Sequence, residues 1–261
     1  MSAPAYEIFA IRFATMHRRR RDNFIHPVTD EPDKPTELDF YVWLIVGNGK
    51  VVLVDTGFSH ASSLARGRPY LIEPASALRD LGYPPESVQD VIVTHLHYDH
   101  AGNVGDYGHA RIWLQERELQ YATGKCMCEP RLNYFFATDD IAVLLKRLYR
   151  GDVRLIQGSY SLHDGIELHA IGGHTDGLQV VRVRTSRGWI VLASDAAHYY
   201  ENYQTRNPFP ALYKIDELLA GYSRIERLAD GPEFIIPGHD PLVGERYPST
   251  GLPTPYAHRI A

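Results

Sequence analysis

The stretch Thr94-His95-Leu96-His97-Tyr98-Asp99-His100-Ala101-Gly102-Asn103 directly follows the apolar run Val91-Ile92-Val93 and places four metal-binding side chains within six positions. In an extended segment His95, His97 and Asp99 would point the same way, because alternate side chains share a face. His100 would then lie at a turn made possible by Gly102. Imidazole and carboxylate groups are ligands of zinc-like dications, so the stretch predicts part of a metal site. The alternative is a polar loop whose histidines cap a helix.

Composition limits the classes of protein to consider. The chain has 261 residues, 44% of them hydrophobic, and we expect a single domain over residues 1–261. The 27 basic and 32 acidic residues give a formal charge of -5, which does not favour binding to nucleic acid or to an anionic membrane. Neither a membrane-spanning run nor a signal-peptide pattern is found, so we expect a cytoplasmic enzyme with no nucleic-acid or membrane partner.

One basic run, His17-Arg18-Arg19-Arg20-Arg21, stands out from this acidic background. We interpret it as part of a solvated loop over residues 18–37, with a phosphate or carboxylate contact as the alternative. Long loops in compact enzymes often lie over the active site.

Apolar runs separated by turn residues predict many short strands interleaved with helices. The Asn48-Gly49 pair between two such runs predicts a hairpin. The strands are expected at residues 6–13, 40–46, 51–54, 88–94, 110–114, 153–156, 166–171, 178–184, 189–193 and 234–236. Helices are expected at residues 74–81 and 216–228, with a helical insert at about 116–150 and a loop-like tail from residue 241. The pattern favours layered sheets with helices outside them.

Four more candidate groups lie near the ends of predicted strands. His174, Asp195 and His239 follow apolar runs, as the first motif does, and Asp55 ends the strand at residues 51–54. Because a buried carboxylate needs partners, we expect Asp55 to support a metal ligand rather than to cap a structural turn. Together with the opening motif, the ligand-type residues suffice for two metal ions if one carboxylate bridges them.

The motif H-x-H-x-D-H, a Gly-flanked His, an Asp after an apolar strand and a late Gly-His resemble the metallo-β-lactamase superfamily. This resemblance implies an α+β fold, an αββα sandwich of two mixed sheets flanked by helices, with a dinuclear site at one edge. It also implies ligand roles: His95, His97 and His174 for the first ion, Asp99, His100 and His239 for the second, and Asp195 between them. Asp55 matches the family's supporting acid.

Within this superfamily the chain is most similar to the N-acyl homoserine lactonases, through its H-L-H-Y-D-H-A-G wording, its length and its helical insert. Asp195 argues against a true β-lactamase, which lacks that bridging carboxylate. The lactonases carry a Tyr three residues after the bridging Asp, where this chain has His198, followed by Tyr199. Because of this departure, the resemblance predicts the type of reaction but does not decide whether the substrate is an acyl-homoserine lactone.

The expected reaction is the opening of a lactone ring by a hydroxide that bridges two divalent ions, most simply zinc, with manganese, iron or cobalt as alternatives. Asp99 would orient the nucleophile or move a proton, and His198 or Tyr199 would stabilise the oxyanion. Aromatic residues at 134–136 and 199–209 suit an apolar or aromatic lactone, although those at 134–136 could equally fill core. A thioesterase, a cyclic-amide hydrolase and a non-catalytic binding protein are the alternatives, and the protein is expected to be a monomer or a homodimer.

Overall fold

The computed structural model describes residues 5–251 and 253–261, and the strands within them form two sheets. In chain order the strands are β1 (Glu7–Arg19), β2 (Pro35–Gly47), β3 (Lys50–Val54), β4 (Asp90–Ile92), β5 (Arg111–Gln115), β6 (Val153–Ile156), β7 (Ser159–His163), β8 (Ile166–Ala170), β9 (Gln179–Thr185), β10 (Gly188–Ser194), β11 (Ile235–Pro237) and β12 (Ala257–Arg259). The larger sheet has the order β12-β1-β2-β3-β4-β5-β6, and the smaller has the order β11-β10-β9-β8-β7.

Helices lie between and after the strands. They are α1 (His60–Arg66), α2 (Pro74–Asp80), α3 (Tyr98–Ala101), α4 (Glu116–Thr123), α5 (Pro130–Asn133), α6 (Thr138–Tyr149), α7 (Tyr200–Gln204), α8 (Ile215–Leu228) and α9 (Leu242–Arg246). No helix in the described part of the chain is long and apolar enough to cross a membrane.

Strand β2 shows why the sheets form separate layers, because both of its faces are buried. Trp43 and Ile45 pack in one apolar cluster with residues of the smaller sheet, such as Val180. Val42 and Leu44, on the opposite face, pack in a second cluster that includes residues of α2 and α6. Full burial of each such side chain contributes about 1.5–3 kcal/mol. Both sheets are mixed, with helices outside them, so the predicted αββα sandwich is confirmed.

The hairpin between β2 and β3 is confirmed as well. Asn48 has φ 50° and Gly49 has φ 70°, the left-handed values that a tight two-residue turn needs. Gly47 pairs with Lys50 across the turn, so the register of the two strands is fixed from that point.

Several predicted boundaries were wrong. The first strand continues to Arg19, because β1 and β2 pair as far as Arg19 with Pro35, and the long loop is therefore confined to residues 20–34. The strand expected at residues 88–94 is regular only over Asp90–Ile92. The tail that was predicted as loop contains α9 and β12, and the sequence analysis also missed α1 and β7. Both missed strands lie at sheet edges, where one partner suffices and apolar patterning is weak.

Candidate metal centre

Two pairs of parallel strands deliver most of the candidate side chains to one place. β3 lies parallel to β4 in the larger sheet, and β10 lies parallel to β11 in the smaller. Parallel neighbours end at the same edge of a sheet. Asp55 follows β3, His95 and His97 follow β4, Asp195 follows β10, and His239 follows β11. His174 reaches the same edge from the connection between β8 and β9.

The opening motif is not extended throughout, which corrects one part of the sequence analysis. The chain turns into α3 at Tyr98, so Asp99 does not share a direction with His95 and His97. Gly102, just after this helix, has an ordinary helical φ of −69° and is needed for another reason. A Cβ at this position would collide with the backbone of Phe58 and Ser59. The glycine thus permits close packing of the motif rather than an unusual turn.

His95, His97 and His174 converge on one point. The Nε2 atom of His174 lies 3.2 Å from Nε2 of His95 and 3.0 Å from Nδ1 of His97. It also lies 3.2 Å from Oδ2 of Asp195. All four side chains are buried. One ligand atom from each lies within 4.8 Å of the others, so the group could hold a metal ion.

Asp99, His100 and His239 form a second group beside the first. His100 Nε2 lies 3.8 Å from Oδ2 of Asp99, and His239 Nε2 lies 4.0 Å from the same oxygen. The other oxygen of Asp195, Oδ1, lies 3.3 Å from His100 Nε2 and 3.0 Å from His239 Nε2. The two oxygens of Asp195 therefore face different groups, as a bridging carboxylate would.

The hydrogen bonds on the outer side of the histidine rings test whether this arrangement fits a cation. Nδ1 of His174 lies 2.7 Å from the carbonyl oxygen of Ala211, and Nδ1 of His239 lies 2.7 Å from that of Asp39. A carbonyl oxygen can only accept, so both Nδ1 atoms donate, and in a neutral ring Nε2 then presents a lone pair to the centre. Converging lone pairs with no proton between them repel one another unless a cation lies among them. The donor set therefore fits metal ions.

Two buried atoms of the centre reinforce this interpretation. His100 Nε2 and Asp195 Oδ1 are inaccessible to solvent, and although they lie 3.3 Å apart, neither makes a well-oriented hydrogen bond to a described residue. Leaving such atoms unpaired costs about 1–3 kcal/mol each. A bound ion would satisfy both atoms.

Asp55, the acid that was expected to support a ligand, contacts His100 and Thr94. Its carboxylate lies 2.8 Å from Nδ1 of His100 and accepts hydrogen bonds from the backbone N–H and the hydroxyl of Thr94 at 2.7 and 2.8 Å. The same hydroxyl lies 3.1 Å from Nδ1 of His95 and 2.9 Å from the hydroxyl of Ser194. Asp55 and Ser194 have φ of 61° and 45°, and such strain is tolerated where it orients functional groups.

The electrostatics of the two groups differ. Burial lowers the pKa of His174 to about 3 and that of His95 and His97 well below the usual value. Burial acts the same way on His100, but the carboxylates of Asp195, Asp55 and Asp99 outweigh it and raise its pKa. The first group is thus neutral imidazole at neutral pH, the form that ligates metals. In the second group a proton and a metal ion would compete for the same nitrogen.

The two candidates for an oxyanion donor have different surroundings. His198 is buried beside the centre, with Nε2 3.0 Å from Oδ2 of Asp195 and its ring stacked on Phe209 at 3.9 Å. Burial lowers its pKa to about 4. The hydroxyl of Tyr199 instead donates to the carbonyl oxygen of Glu37 at 2.9 Å, and this residue is not among those that line the pocket above the centre. The geometry therefore favours His198.

A pocket of about 230 Å³ opens above the centre. Both aromatic segments contribute to its wall, through Phe135 from the insert and Phe209 from the other segment. Phe136 packs edge-on against His97, with ring centres 4.8 Å apart, while Tyr134 is largely exposed. The insert thus both walls the pocket and packs against a candidate ligand.

Sequence reasoning missed Glu118 and Arg68 near the centre, and for Arg18 it favoured a solvated loop over a phosphate or carboxylate contact. Glu118 on α4 is buried and accepts hydrogen bonds of 2.9 Å from the backbone N–H groups of Leu96 and Gly177, so it ties the loop of His95 and His97 to that of His174. Burial raises its pKa to about 7. Arg68 was not considered, and Arg18 was grouped with a solvated run, yet both line the pocket. These charged residues are distant from the candidate ligands in sequence, so no nearby sequence pattern indicates that they lie beside the centre.

Comparison with known proteins agrees with this geometry. The sequence profile of the Metallo-beta-lactamase superfamily matches residues 36–239. An N-acyl homoserine lactonase of Bacillus cereus is 27% identical over 231 residues, which cover 80% of this chain and 84% of that protein. A solved N-acyl homoserine lactone hydrolase, with the product N-hexanoyl-L-homoserine at its catalytic metal centre, superposes with a TM-score of 0.74 at 21% identity, covering 94% of this chain and 97% of that one.

A second solved structure, the dizinc quorum-quenching lactonase AidC, has a TM-score of 0.71 at 15% identity, covering 92% of this chain and 91% of that one. At these identities the structural likeness shows the fold alone. The profile, however, spans most of the chain and includes Asp55 and the candidate ligands from His95 to His239. The chain belongs to the metallo-β-lactamase superfamily.

Proposed function

We propose that the protein is a metal-dependent hydrolase that opens a lactone ring. The observation that carries this proposal is the position of Asp195, whose two oxygens face two separate groups of ligand-type side chains. A centre of that kind suits the hydrolysis of a carbonyl compound. The curated relatives named as N-acyl homoserine lactonases support a lactone as the substrate.

In this proposal His95, His97 and His174 hold one ion, Asp99, His100 and His239 hold the other, and Asp195 joins them. When bound, the ions would lower the pKa of water towards 7 and polarise the substrate carbonyl. Zinc is the simplest choice for these nitrogen and oxygen ligands, and manganese, iron and cobalt suit the same set. Asp55 holds His100 in orientation through its Nδ1–H group.

The chain's own residues supply the remaining chemistry. His198 is neutral at neutral pH and lies at the floor of the pocket. Its Nε2 atom lies 3.0 Å from Oδ2 of Asp195, so the single N–H of the neutral ring is on Nε2, and we expect it to donate to a carbonyl oxygen bound beside Asp195 as that oxygen gains negative charge. Asp99 lines the pocket as well, and it orients the water or carries a proton to the ring oxygen as the acyl C–O bond breaks. Water adds across that bond, and the product is a hydroxy acid.

Removal and replacement of metal would test the proposal. The protein is stripped with a chelator and reloaded separately with zinc, manganese, iron or cobalt, and metal content is measured by elemental analysis. Each form is assayed on acyl-homoserine lactones, aromatic lactones, thioesters and cyclic amides. We expect about two ions per chain and lactone hydrolysis that disappears on chelation and returns on reloading. Activity that survives complete metal removal would refute the metal-dependent mechanism. Hydrolysis restricted to thioesters or cyclic amides would refute the proposal that the substrate is a lactone.

Three further expectations from the sequence stay predictions. They are a single domain over residues 1–261, a cytoplasmic location, and a monomeric or homodimeric state. Gel filtration with light scattering would measure the last of these.

A further inference from the structure

The pocket above the centre contains two guanidinium groups, from Arg18 and Arg68. The rest of its wall is apolar or belongs to the centre itself. A neutral acyl chain or aromatic ring would form no ion pair with two cations at this position. The two arginines therefore indicate which charge the substrate carries.

Arg68 is fixed by its backbone and leaves its guanidinium free. Its N–H donates to the carbonyl oxygen of Ser63 at 3.0 Å, and its own carbonyl accepts from the Ser63 hydroxyl at 2.8 Å. The guanidinium carbon lies 5.5 Å from the ring centre of Phe40 and 5.3 Å from that of Tyr98. Burial lowers its pKa, with Asp99 partly opposing the effect, but an arginine stays charged at neutral pH.

Arg18 approaches from another part of the wall, the end of β1. It shares a strand face with Met16, which also lines the pocket. Its Nε donates to Oδ1 of Asn23 at 2.8 Å, and Nη2 donates to the carbonyl oxygen of Asp22. The guanidinium carbon lies 4.9 Å from the ring centre of Phe209, the ring that stacks on His198. These contacts hold Arg18 in place without neutralising it.

Several other arginines of the chain have a carboxylate partner. Arg12, Arg20 and Arg117 form ion pairs with Asp39, Glu201 and Asp176 respectively. Neither Arg18 nor Arg68 forms an ion pair with any residue that the structure describes. Both are partly buried, where an unpaired charge is costly.

The charge of the loaded pocket points the same way. Asp55, Asp99 and Asp195 supply three carboxylates, whereas two bound dications together with the two guanidinium groups would supply more positive charge than these cancel. The histidines would add none while they act as ligands. A pocket made positive in this way would attract an anion, although the chain as a whole has a net charge of -5.

We propose that the substrate is a small lactone that carries a carboxylate, and that Arg68, assisted by Arg18, binds this carboxylate. The inference rests on the proposed lactone hydrolysis. The planar fork of a guanidinium matches a carboxylate with two parallel hydrogen bonds. The volume of about 230 Å³ lies below the roughly 300–1,000 Å³ of drug-sized ligand sites, which favours a compact ring over a long acyl chain.

The reaction balances with water alone. The acyl C–O bond of the ring breaks, the oxygen of water bonds to the carbonyl carbon, and one of its protons goes to the former ring oxygen. The new carboxylic acid releases its other proton at neutral pH. The product is a hydroxy acid with two carboxylates.

A matched pair of substrates would test the inference. The zinc-loaded protein is assayed on a five-membered lactone that carries a carboxylate and on the same ring with a carboxamide. We expect kcat/KM to be about 10–100-fold higher for the carboxylate, the range that a charged hydrogen-bonded contact provides. The preference should shrink as salt is raised, because salt screens charges at the partly exposed arginines.

Variants would assign the preference to the arginines. In Arg68→Met the carboxylate-to-carboxamide ratio should fall at least tenfold, in Arg18→Met it should fall by a smaller factor, and Arg68→Lys should restore part of it. Arg150→Met is the matched control, because Arg150 pairs with Asp152 outside the pocket and should leave the ratio as it is. Metal content and thermal unfolding are measured for every variant, and Arg68→Gln replaces Arg68→Met if the latter does not fold.

A binding measurement separates the two possible failures. Calorimetry compares cyclopentane carboxylate with its carboxamide on the zinc-loaded protein and on the Arg68 and Arg150 variants. Equal hydrolysis of both lactones, with a ratio indifferent to Arg68, overturns this inference and leaves the lactonase proposal standing. If neither these lactones nor those of the metal-replacement test are hydrolysed, lactone opening is refuted, while carboxylate binding that depends on Arg68 would still support an anion site.

Discussion

Nε2 of His198 lies 3.0 Å from Oδ2 of Asp195, the same oxygen that faces the first group of histidines. Two roles follow from this position: a hydrogen-bond donor to the substrate, or an additional ligand, since Asp195, His198 and His239 also lie close enough to share an ion. The two roles predict different consequences of the same substitution.

We expect His198→Phe to lower kcat by about 100-fold, the effect of removing one oxyanion donor, with unchanged metal content. His198→Tyr should retain more activity because a phenol can donate a hydrogen bond. Tyr199→Phe should cost less than His198→Phe, because the Tyr199 hydroxyl donates to Glu37. Elemental analysis and steady-state kinetics decide the matter: loss of an ion in His198→Phe would make His198 a ligand.

The second prediction concerns Asp55, which accepts from Thr94 and faces His100 Nδ1. Asp55→Asn should weaken metal binding about 10–100-fold, because the orienting carboxylate of a histidine ligand is lost. Asparagine tolerates the left-handed backbone at this position, so the change tests the carboxylate rather than strain. Competition with a chelating dye measures the affinity. Equal affinity in variant and wild type would contradict the supporting role.

The third prediction tests the close packing around the bridging position. A Cβ on Gly238 would lie 2.7 Å from the backbone carbon of Ser194 and 2.9 Å from Oδ1 of Asp195. Gly238→Ala should therefore lower the free energy of unfolding by about 1–3 kcal/mol and reduce the metal content. Gly108→Ala is the control, because its Cβ would meet open space. Denaturant unfolding and elemental analysis check both effects, and a Gly238→Ala protein that behaves like the control would refute the packing argument.

Sequence reasoning was most accurate where the signal is local. Apolar runs and the Asn48-Gly49 turn reveal strands and a hairpin because the contacts that form them are near in sequence. Most candidate ligands were found for the same reason, since His95, Asp195 and His239 come soon after buried strands that lie parallel to a neighbour. The division of these ligands between two metal ions came from the resemblance to a known family.

The residues that sequence reasoning missed depend on tertiary contacts. Glu118 links two loops through backbone N–H groups, and no pattern near position 118 records that its partners are Leu96 and Gly177. Arg18 belongs to a run of arginines, of which Arg20 pairs with Glu201 and Arg18 reaches the pocket. The strand β12 is short and lies at the edge of its sheet, where the strand propensity of the residues is a poor predictor of structure.

The last prediction concerns stability and pH. Asp140, on α6, is buried, and its Oδ2 atom has no hydrogen-bond partner among the described residues. Burial, with a smaller contribution from Asp139, raises its pKa to about 7, whereas in the unfolded chain an Asp has a pKa of about 3.9. The folded state therefore holds a proton that the unfolded state releases between about pH 4 and pH 7. The free energy of unfolding should fall as pH rises through this window.

Asp140→Asn removes this titration and keeps the shape of the side chain. We expect the variant to be more stable than wild type at pH 8, within the roughly 1–3 kcal/mol that an unpaired buried polar group costs, and the difference to shrink towards pH 4. Asp80→Asn is the control, because Asp80, at the end of α2, is exposed and does not contribute to the raised pKa of Asp140. Urea unfolding of the three proteins from pH 4 to pH 8 measures the effect. A stability difference that is constant across that range would show that Asp140 is ionised throughout.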